Sequence, residues 1–223
     1  MKTNLTLVRI LSLTILAMAG IGSAQAVTTP VPVTNPSFED PTLSSGSYTD
    51  DSIPGWIVDA SGGYGAGVQY PTSASFYSAG PLASPASGNQ DAYIQYSDDI
   101  YQEVGALLPD TTYTLTLAIG QRYDATGTGF FELVNGTTDA DTVLKASPVY
   151  SPTPGYFESE TLTYTTDGEA TGNLTIVLED STGQANFDNV GLTASTATPE
   201  PSTYALLLAG LVLLATHLRR RMV

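Results

Sequence analysis

The sequence of 223 residues contains no cysteine, and its single histidine, His217, lies close to the C-terminus. Disulfide bonds and thiol catalysis are therefore excluded. The region before His217 can form neither a Ser-His-Asp triad nor a histidine-rich metal site, which excludes hydrolysis by a histidine-activated serine. If a metal supplies the stability that disulfides would otherwise give, its ligands must be oxygen atoms.

Basic residues are also scarce, with 7 Lys+Arg against 22 Asp+Glu. Between the two ends of the chain, residues 27–198 contain only Arg122 and Lys145 but every acidic residue except Glu200, giving a net charge of 2 − 21 = −19. Such a surface repels nucleic acid and attracts cations, so nucleic-acid binding is excluded. Solubility outside the cell would account for most of this charge.

The N-terminal end has the order of a secretory signal peptide. Lys2 and Arg9 precede an apolar run from Ile10 to Ile21, and Ala24-Gln25-Ala26 fits a cleavage site. The sequence thus predicts a signal peptide over residues 1–26 and a mature chain that begins at Val27.

The C-terminal end has three parts. Pro199-Glu200-Pro201 lies in a linker over residues 196–203, an apolar run follows from Tyr204 to Leu218, and Arg219-Arg220-Arg221 begins the tail of residues 219–223. As a helix the apolar run would be about 22 Å long, enough for a thin membrane. We expect a transmembrane sorting helix over 204–218 and a basic cytoplasmic tail.

This order closely resembles the sorting signal of bacterial PEP-CTERM proteins. The resemblance implies recognition of Pro199, Glu200 and Pro201 by an exosortase, a membrane transpeptidase. The protein would then be a membrane-anchored precursor that is later passed to the cell envelope or released outside the cell. A plain C-terminal anchor is the alternative interpretation.

Residues 27–195 read as one all-β domain, because short apolar/polar alternations are separated by turn residues and no helical period occurs. The clearest strand is Thr112–Ile119, with Tyr113, Leu115, Leu117 and Ile119 on one face. The other predicted strands are Gly55–Val58, Gly67–Tyr70, Asp91–Tyr96, Tyr101–Val104, Gly129–Val134, Thr142–Ala146, Phe157–Thr165, Asn173–Glu179 and Asn186–Thr193.

Turns and loops complete this pattern. Asp167-Gly168 predicts a hairpin that leads into Asn173–Glu179, and long loops are expected at Asp40–Pro54 and Pro71–Asn89. The segment Gly62–Gly67 is not a phosphate-binding loop, since no Lys-Ser/Thr follows and no helix opens there.

Four segments resemble the galactose-binding-like jelly rolls of carbohydrate-binding modules: Val33–Asp40, Pro54–Trp56, Asp91–Ile94 and Asn186–Leu192. The resemblance implies a single jelly-roll β-sandwich with a structural calcium ion bound by Glu39 and Asp188. Asp188 also shares strand parity with Val190 and Leu192, which places it on the core side if those two residues face the core. A buried carboxylate there needs a cation or several hydrogen bonds. The alternative is that both acids are ordinary turn carboxylates.

Four motifs are similar to those of the secreted, calcium-binding hapalindole-type cyclases: Asn35–Glu39, Pro54–Trp56, Pro109–Thr116 and Phe187–Val190. That resemblance implies a catalytic acid two residues before the calcium aspartate. Asn186 occupies the position, and an amide cannot protonate an alkene or imine. The fold and the metal are therefore expected, whereas the activity is not.

Aromatic residues suggest binding instead, since their faces stack on sugar C–H surfaces. The candidates for a binding cleft are Trp56, Tyr64, Tyr70, Tyr93, Tyr96, Tyr123 and Phe131, with Asn186 and the amides of Gln69 and Gln95. The sequence predicts an exported glycan-binding or structural component of the extracellular polysaccharide matrix. The alternative is a secreted calcium-dependent cyclase acting on a hydrophobic small molecule.

Overall fold

The computed structural model describes residues 26–71, 84–197, 208–214 and 217–219. Within these residues the chain forms ten β-strands, and residues Thr28–Ser195 make up one compact unit. The strands are β1 (Ala26–Val31), β2 (Ile57–Asp59), β3 (Ala66–Gln69), β4 (Asp91–Gln95), β5 (Asp99–Ala106), β6 (Thr111–Gln121), β7 (Gly127–Asn135), β8 (Thr142–Ala146), β9 (Tyr156–Thr165) and β10 (Asn173–Ala197).

Strand β10 is common to both layers of a jelly-roll β-sandwich. Its first half lies between β5 and β7, and with β2 and β8 at the edges this gives the layer β2-β5-β10-β7-β8. Its second half pairs with β4 and β6, which gives the layer β3-β4-β10-β6-β9, and β1 also pairs with β10. We call these the first and the second layer. The sequence prediction of an all-β jelly roll is confirmed.

Apolar side chains at alternate strand positions fill the space between the layers. Tyr113, Leu115, Leu117 and Ile119 of β6 are buried as the alternation predicts, and they pack in one cluster with the buried side chains of β7 and β10. Burying each Leu, Ile or Phe side chain stabilises the fold by roughly 1.5–3 kcal/mol. This core keeps the faces of both layers in place.

Two details of the predicted strands are wrong. Asn173–Glu179 and Asn186–Thr193 are parts of one strand, because the polar stretch between them continues to pair with β7 through a β-bulge at Asp180/Thr182. β1 is missing from the prediction because its residues are mostly exposed and lack apolar alternation.

The predicted hairpin at Asp167-Gly168 does not form either. β9 pairs with β6 in the second layer, whereas the start of β10 pairs with β5 and β7 in the first. The turn therefore carries the chain from one layer to the other. Its residues signal a change of direction, but they do not specify which strands pair.

The C-terminal part is helical at residues 208–214 and 217–219. Among the described residues, no helix has the length and apolar character that a membrane crossing needs, so the expected transmembrane helix over 204–218 is not established. Residues 1–25 of the predicted signal peptide, Pro199-Glu200-Pro201, Arg220 and Arg221 lie outside the described residues, whereas Ala26 begins β1.

One buried glutamine of β5 attaches the N-terminal segment to the first layer. The amide nitrogen of Gln102 donates to the carbonyls of Thr34 (3.0 Å) and Gly55 (2.8 Å), while its amide oxygen accepts from the Thr34 N–H at 2.7 Å. Gly55 has φ +86°, and a Cβ there would collide with the Thr34 side chain. One side chain therefore holds Thr34 by two hydrogen bonds and the Pro54-Gly55-Trp56 motif by one.

Replacing this side chain by a similarly shaped apolar one tests the attachment. Gln102→Met should lower the free energy of unfolding by about 2–4 kcal/mol, because three backbone groups lose their partner in a water-poor site. Urea unfolding followed by Trp56 fluorescence measures the change. Glu103→Gln, at the exposed neighbouring position, is the control and should change stability by less than about 0.5 kcal/mol; equal stabilities of the two variants would contradict this role.

Candidate functional site

An open cleft of about 420 Å³ lies over the second layer. Its lining is dominated by tyrosine and amide side chains: Tyr48, Tyr64, Tyr70, Tyr93, Gln69, Gln95 and Gln184, with Asp50 and Arg122. The amides come from three neighbouring strands, because β3 pairs with β4 and β4 with β10. The strand register therefore creates a polar floor beneath aromatic walls.

The polar groups of this floor are connected to one another. Gln95 donates to the Gln184 amide oxygen at 3.0 Å, and Arg122 approaches the same oxygen at 3.4 Å. Arg122 also makes an ion pair with Asp124, with 2.8 Å between nitrogen and oxygen. These contacts fix the orientation of the amides, so the floor offers donors and acceptors in set directions.

Tyr93 joins the floor to the loop that precedes β2. Its hydroxyl donates to the Thr49 carbonyl at 2.7 Å and lies 3.4 Å from an Asp50 oxygen, and its ring meets Tyr48 edge-on. Burial first, and then the charge of Asp50, raises the pKa of the Tyr93 hydroxyl. Tyr93 therefore remains a neutral hydrogen-bonding group, while Tyr48 is 67% exposed and free to contact a ligand.

Tyr64 and Tyr96 form an exposed aromatic pair at one end of the cleft, with ring centroids 4.3 Å apart. The glycine-rich segment before β3 presents Tyr64, and Asp98 accepts hydrogen bonds from the N–H groups of Tyr64 and Gly65. Gly65 has φ +93°, a conformation that favours glycine. The segment continues into a strand, as expected, and its glycines serve to position an aromatic side chain.

The other predicted aromatic residues lie elsewhere. Trp56 packs against Phe38 in the core, and Phe131 is buried and stacked on Tyr150, so neither reaches the cleft. Tyr123 is exposed but does not line the cleft. An aromatic residue in an apolar/polar alternation can face either the core or a cleft. The sequence alone therefore could not separate Trp56, Phe131 and Tyr123 from the residues that line the cleft.

The two predicted calcium ligands meet at one loop of the structure, residues 84–90. One oxygen of Asp188 accepts from the Ser87 N–H at 2.7 Å, and one oxygen of Glu39 accepts from the N–H groups of Asn89 and Gln90 at 2.7 and 2.9 Å. Asp188 is fully buried. The first and last parts of the domain are thus joined through a shared loop.

The electrostatics at Asp188 are unfavourable for a bare carboxylate. Burial raises its pKa to about 8; the hydrogen bonds from Ser87 and Asn189 act against this shift, and the charges of Asp91 and Glu39 add to it. Among the described residues the ion pair found is Arg122–Asp124, so no basic side chain compensates these acids. Carboxylate oxygens are the ligands that a hard cation prefers, although the group of three acids whose oxygens lie within 4.8 Å of one another in the described residues is a different one.

The parity expected for Asp188 is wrong. Phe187 and Val190 both belong to the core cluster, although they are three residues apart, because Asn189 adopts a left-handed conformation with φ 55°. The parity of the core-facing residues changes at Asn189, and Asp188 lies on the other face of the strand from Phe187. Asp188 is buried by the 84–90 loop rather than by the core.

Asn186 lies on the same face as Asp188 and is fully buried. Its amide nitrogen is 3.4 Å from an Asp91 oxygen, and its amide oxygen has no hydrogen-bond partner. Neither Asn186 nor Asp91 lines the cleft. The position expected for a catalytic acid therefore holds a neutral amide beside a buried carboxylate.

A second acidic group was missed by sequence reasoning. Asp59, Asp99 and Asp139 each place one carboxylate oxygen so that all three lie within 4.8 Å of one another, an arrangement that could hold a metal ion. Asp59 and Asp99 lie directly opposite each other in the β2–β5 pair, whereas Asp139 comes from the loop between β7 and β8. No spacing in the sequence indicates this encounter.

The fold and these sites define an acidic jelly-roll domain with an aromatic–amide cleft. The model of the HpiC1 cyclase family, HpiC1-like, matches residues 29–193, which is more than half of the chain. The chain belongs to this HpiC1-like family. The PEP-CTERM protein-sorting motif matches residues 197–221, which confirms the sorting signal predicted from the sequence.

A solved structure with a TM-score above 0.5 supports the fold. The crystal structure of a cyclase from Fischerella sp. TAU is 28% identical, with a TM-score of 0.64, and the match covers 78% of this chain and 100% of that one. A CBM4 structure (17% identical, TM-score 0.47, covering 73% and 99%) and TmCBM61 bound to beta-1,4-galactotriose (16%, 0.43, 74% and 97%) are also similar. No match to a curated protein was found.

Proposed function

We propose that this chain is an exported protein whose jelly-roll domain binds a polysaccharide in the tyrosine–amide cleft over the second layer. The observation that carries the proposal is the lining of the cleft. Exposed Tyr48 and Tyr64 offer ring faces, with Tyr96 paired to Tyr64 just outside the lining, and Gln69, Gln95 and Gln184 offer amide groups beside them. Rings that stack on C–H surfaces and amides that bind hydroxyl groups suit a sugar chain.

The openness of the site also favours a polymer. Among the described residues none closes over the cleft, and its described lining is more polar than apolar, with Asp50 and Arg122 at its wall. A small hydrophobic substrate would be better served by a dry, enclosed pocket. In this proposal the protein acts in the envelope or in the extracellular polysaccharide matrix as a glycan-binding or structural component.

A calcium-dependent cyclase is the second candidate, and membership of the HpiC1-like family favours it. Against it stands Asn186, which holds the position of the expected acid and cannot deliver a proton to an alkene or imine. The nearby acid, Asp91, is fully buried and does not line the described cleft. The observed geometry thus supports binding more strongly than catalysis.

Removing the exposed aromatic rings tests the binding proposal. Tyr64→Ala and Tyr48→Ala should each weaken polysaccharide binding by about 1–2 kcal/mol, or roughly 5- to 30-fold in Kd, because a stacking surface is lost. Residues 27–198, which contain the compact unit Thr28–Ser195, are assayed by affinity electrophoresis against a panel of neutral and acidic polysaccharides. Tyr156→Ala, at a tyrosine of similar exposure that does not line the cleft, is the control.

Two results would overturn this proposal. The first is absence of binding to every polysaccharide by the folded protein. The second is binding that the cleft variants and the Tyr156 control reduce equally. In either case the acidic domain would be a structural matrix protein or a cyclase-like enzyme, and the cleft would not be its glycan site.

Calcium at Glu39 and Asp188 is the second part of the proposal. These residues would bind the ion together with Asp91 as a neighbouring charge, and the ion would supply the positive charge that the surrounding side chains lack. It would also fasten the 84–90 loop, to which both carboxylates already bond. The described role is structural, since neither residue lines the cleft.

Chelation tests this metal. Calcium that binds only the folded domain stabilises it by about 2.7 kcal/mol at a hundredfold excess over Kd, which corresponds to roughly 2–4 °C in Tm for each kcal/mol. EDTA should lower the Tm, calcium should restore it, and the double variant Glu39→Gln/Asp188→Asn should respond less. Asp110→Asn, at an exposed turn, is the control. A double variant with the wild-type response would show that these acids bind no calcium.

The C-terminal signal is the third part. Recognition of Pro199-Glu200-Pro201 by an exosortase would remove the tail after export, as the sorting motif over residues 197–221 suggests. The apolar run and the arginines do not depend on this tripeptide. Processing and membrane retention can therefore be separated by mutation.

Changing Pro199, Glu200 and Pro201 to alanine should leave export intact and keep the protein in the membrane fraction at its precursor mass. The reason is that the apolar run and Arg219–Arg221 remain while the processing signal is lost. Fractionation with immunoblotting, and mass spectrometry of the cell-bound protein, give the readout. Alanine at Ser202 and Thr203 is the control, and normal release of the triple variant would favour a simple anchor.

A further inference from the structure

The acidic triad Asp59, Asp99 and Asp139 lies on the outer face of the first layer, remote in the strand order from the Glu39–Asp188 loop contacts. Asp59 ends β2, Asp99 begins β5, and Asp139 belongs to the connection between β7 and β8. Three separate elements therefore contribute one carboxylate oxygen each, all within 4.8 Å of one another. Like charges at this distance repel unless protons or a cation intervene.

Asp99 carries the strongest indication of a ligand. Only 8% of the residue is exposed, and its Oδ1 atom has no hydrogen-bond partner. A buried carboxylate oxygen without a donor is costly for the fold. Because the Asp99 carboxyl group faces Asp59 and Asp139, the missing partner belongs in the space among the three acids.

The surroundings provide more negative charge and no cation. Burial, followed by Asp139, Asp59 and then Glu179 and Asp98, raises the pKa of Asp99 to about 8. Glu179 is the cross-strand partner of Asp99, and burial together with Glu132 and Asp139 raises its pKa to about 7. Neither Arg122, which is paired with Asp124, nor Lys145 forms an ion pair with the triad.

The chemistry of the donors selects the kind of cation. All three ligands are carboxylate oxygens, which suit hard divalent ions rather than zinc or copper. Oxygen atoms up to 4.8 Å apart can be bridged by Ca²⁺, whose bonds of about 2.3–2.6 Å allow oxygens up to roughly 5 Å apart across the ion. Water can complete the flexible shell that Ca²⁺ accepts.

We infer that Asp59, Asp99 and Asp139 form a second calcium site, which ties the β2–β5 edge to the β7–β8 connection. The ion neutralises the triad and gives the Asp99 carboxylate its partner. The site is independent of the glycan proposal and of the Glu39–Asp188 site, since it shares no residue with either.

The triad residues are also close in sequence to the residues that position Tyr64. Asp59 accepts a hydrogen bond from the Ser61 N–H at 2.9 Å, just before the segment that presents Tyr64. Asp99 directly follows Asp98, which holds the N–H groups of Tyr64 and Gly65. Calcium at the triad would therefore stiffen the segment that carries Tyr64.

Calcium titration of metal-free residues 27–198 by isothermal calorimetry tests the inference, with native mass spectrometry to count bound ions. Asp59→Asn/Asp99→Asn should lose one binding event relative to the wild type and keep any event that depends on Glu39 and Asp188. Asp110→Asn should lose none. A double variant that binds as many ions as the wild type overturns the second site.

Terbium luminescence provides a test that leaves the triad intact. Tyr101 lies beside the triad, since burial first and then the charges of Asp139, Asp59 and Asp99 raise the pKa of its hydroxyl. Tb³⁺ in the calcium site should therefore emit on excitation of tyrosine, calcium should quench this signal by competition, and Tyr101→Phe should reduce it without weakening calcium binding. Emission unaffected by Tyr101→Phe, together with unchanged ion counts in the aspartate variant, would refute the site.

Discussion

Carboxylate repulsion is the constraint on which the rest of this structure depends. The domain carries 21 acidic side chains and two basic ones, and several of the acids are buried, among them Asp91, Asp98, Asp180 and Asp188. Among the described residues the ion pair found is Arg122–Asp124, so backbone hydrogen bonds and raised pKa values accommodate such buried acids. Asp98 shows the first solution, since it accepts hydrogen bonds from the N–H groups of Tyr64 and Gly65 and so shapes the cleft. Asp188 combines hydrogen bonds from backbone N–H groups with a pKa that burial raises.

The two layers differ in the side chains on their outer faces. The cleft over the second layer is lined mainly by amides and tyrosines, with Asp50 and Arg122 as its charged residues. The first layer collects Asp59, Asp99, Asp139 and Glu179 on its outer face. The core between the layers is an apolar cluster, and Gln102 of β5 attaches the N-terminal segment to the first layer. The two candidate sites therefore lie on different layers.

Sequence patterns predicted the fold well where the strand period and the core coincide. Tyr113, Leu115, Leu117 and Ile119 alternate cleanly and are all buried, and β8 has the predicted bounds. The patterns failed where neither burial nor alternation marks the strand, as in β1, or where a polar stretch keeps its ladder through a bulge, as in β10. Asn189 shows a further limit, since one residue at positive φ reverses the face of all residues after it.

The residues of the candidate sites were also predicted only in part. Glu39 and Asp188 come together at the 84–90 loop, and Tyr64, Tyr70, Tyr93, Gln69 and Gln95 line one cleft, although only the resemblance and the residue types suggested them. Tyr48, Arg122 and Gln184 could not be predicted, because they reach the cleft through a loop and through strand register. The aspartate triad depends on three elements distant in sequence, which only the tertiary structure brings together.

The shared strand β10 has a mechanical consequence. The C-terminal segment leaves the domain from the end of this strand, and β10 is hydrogen-bonded along its length to β5 and β7 and then to β4. A force applied to that segment along the strand would act on many of these inter-strand hydrogen bonds at the same time. They would then have to break together instead of one by one. A protein held by its C-terminal end against flow or a moving matrix would therefore unfold slowly under load.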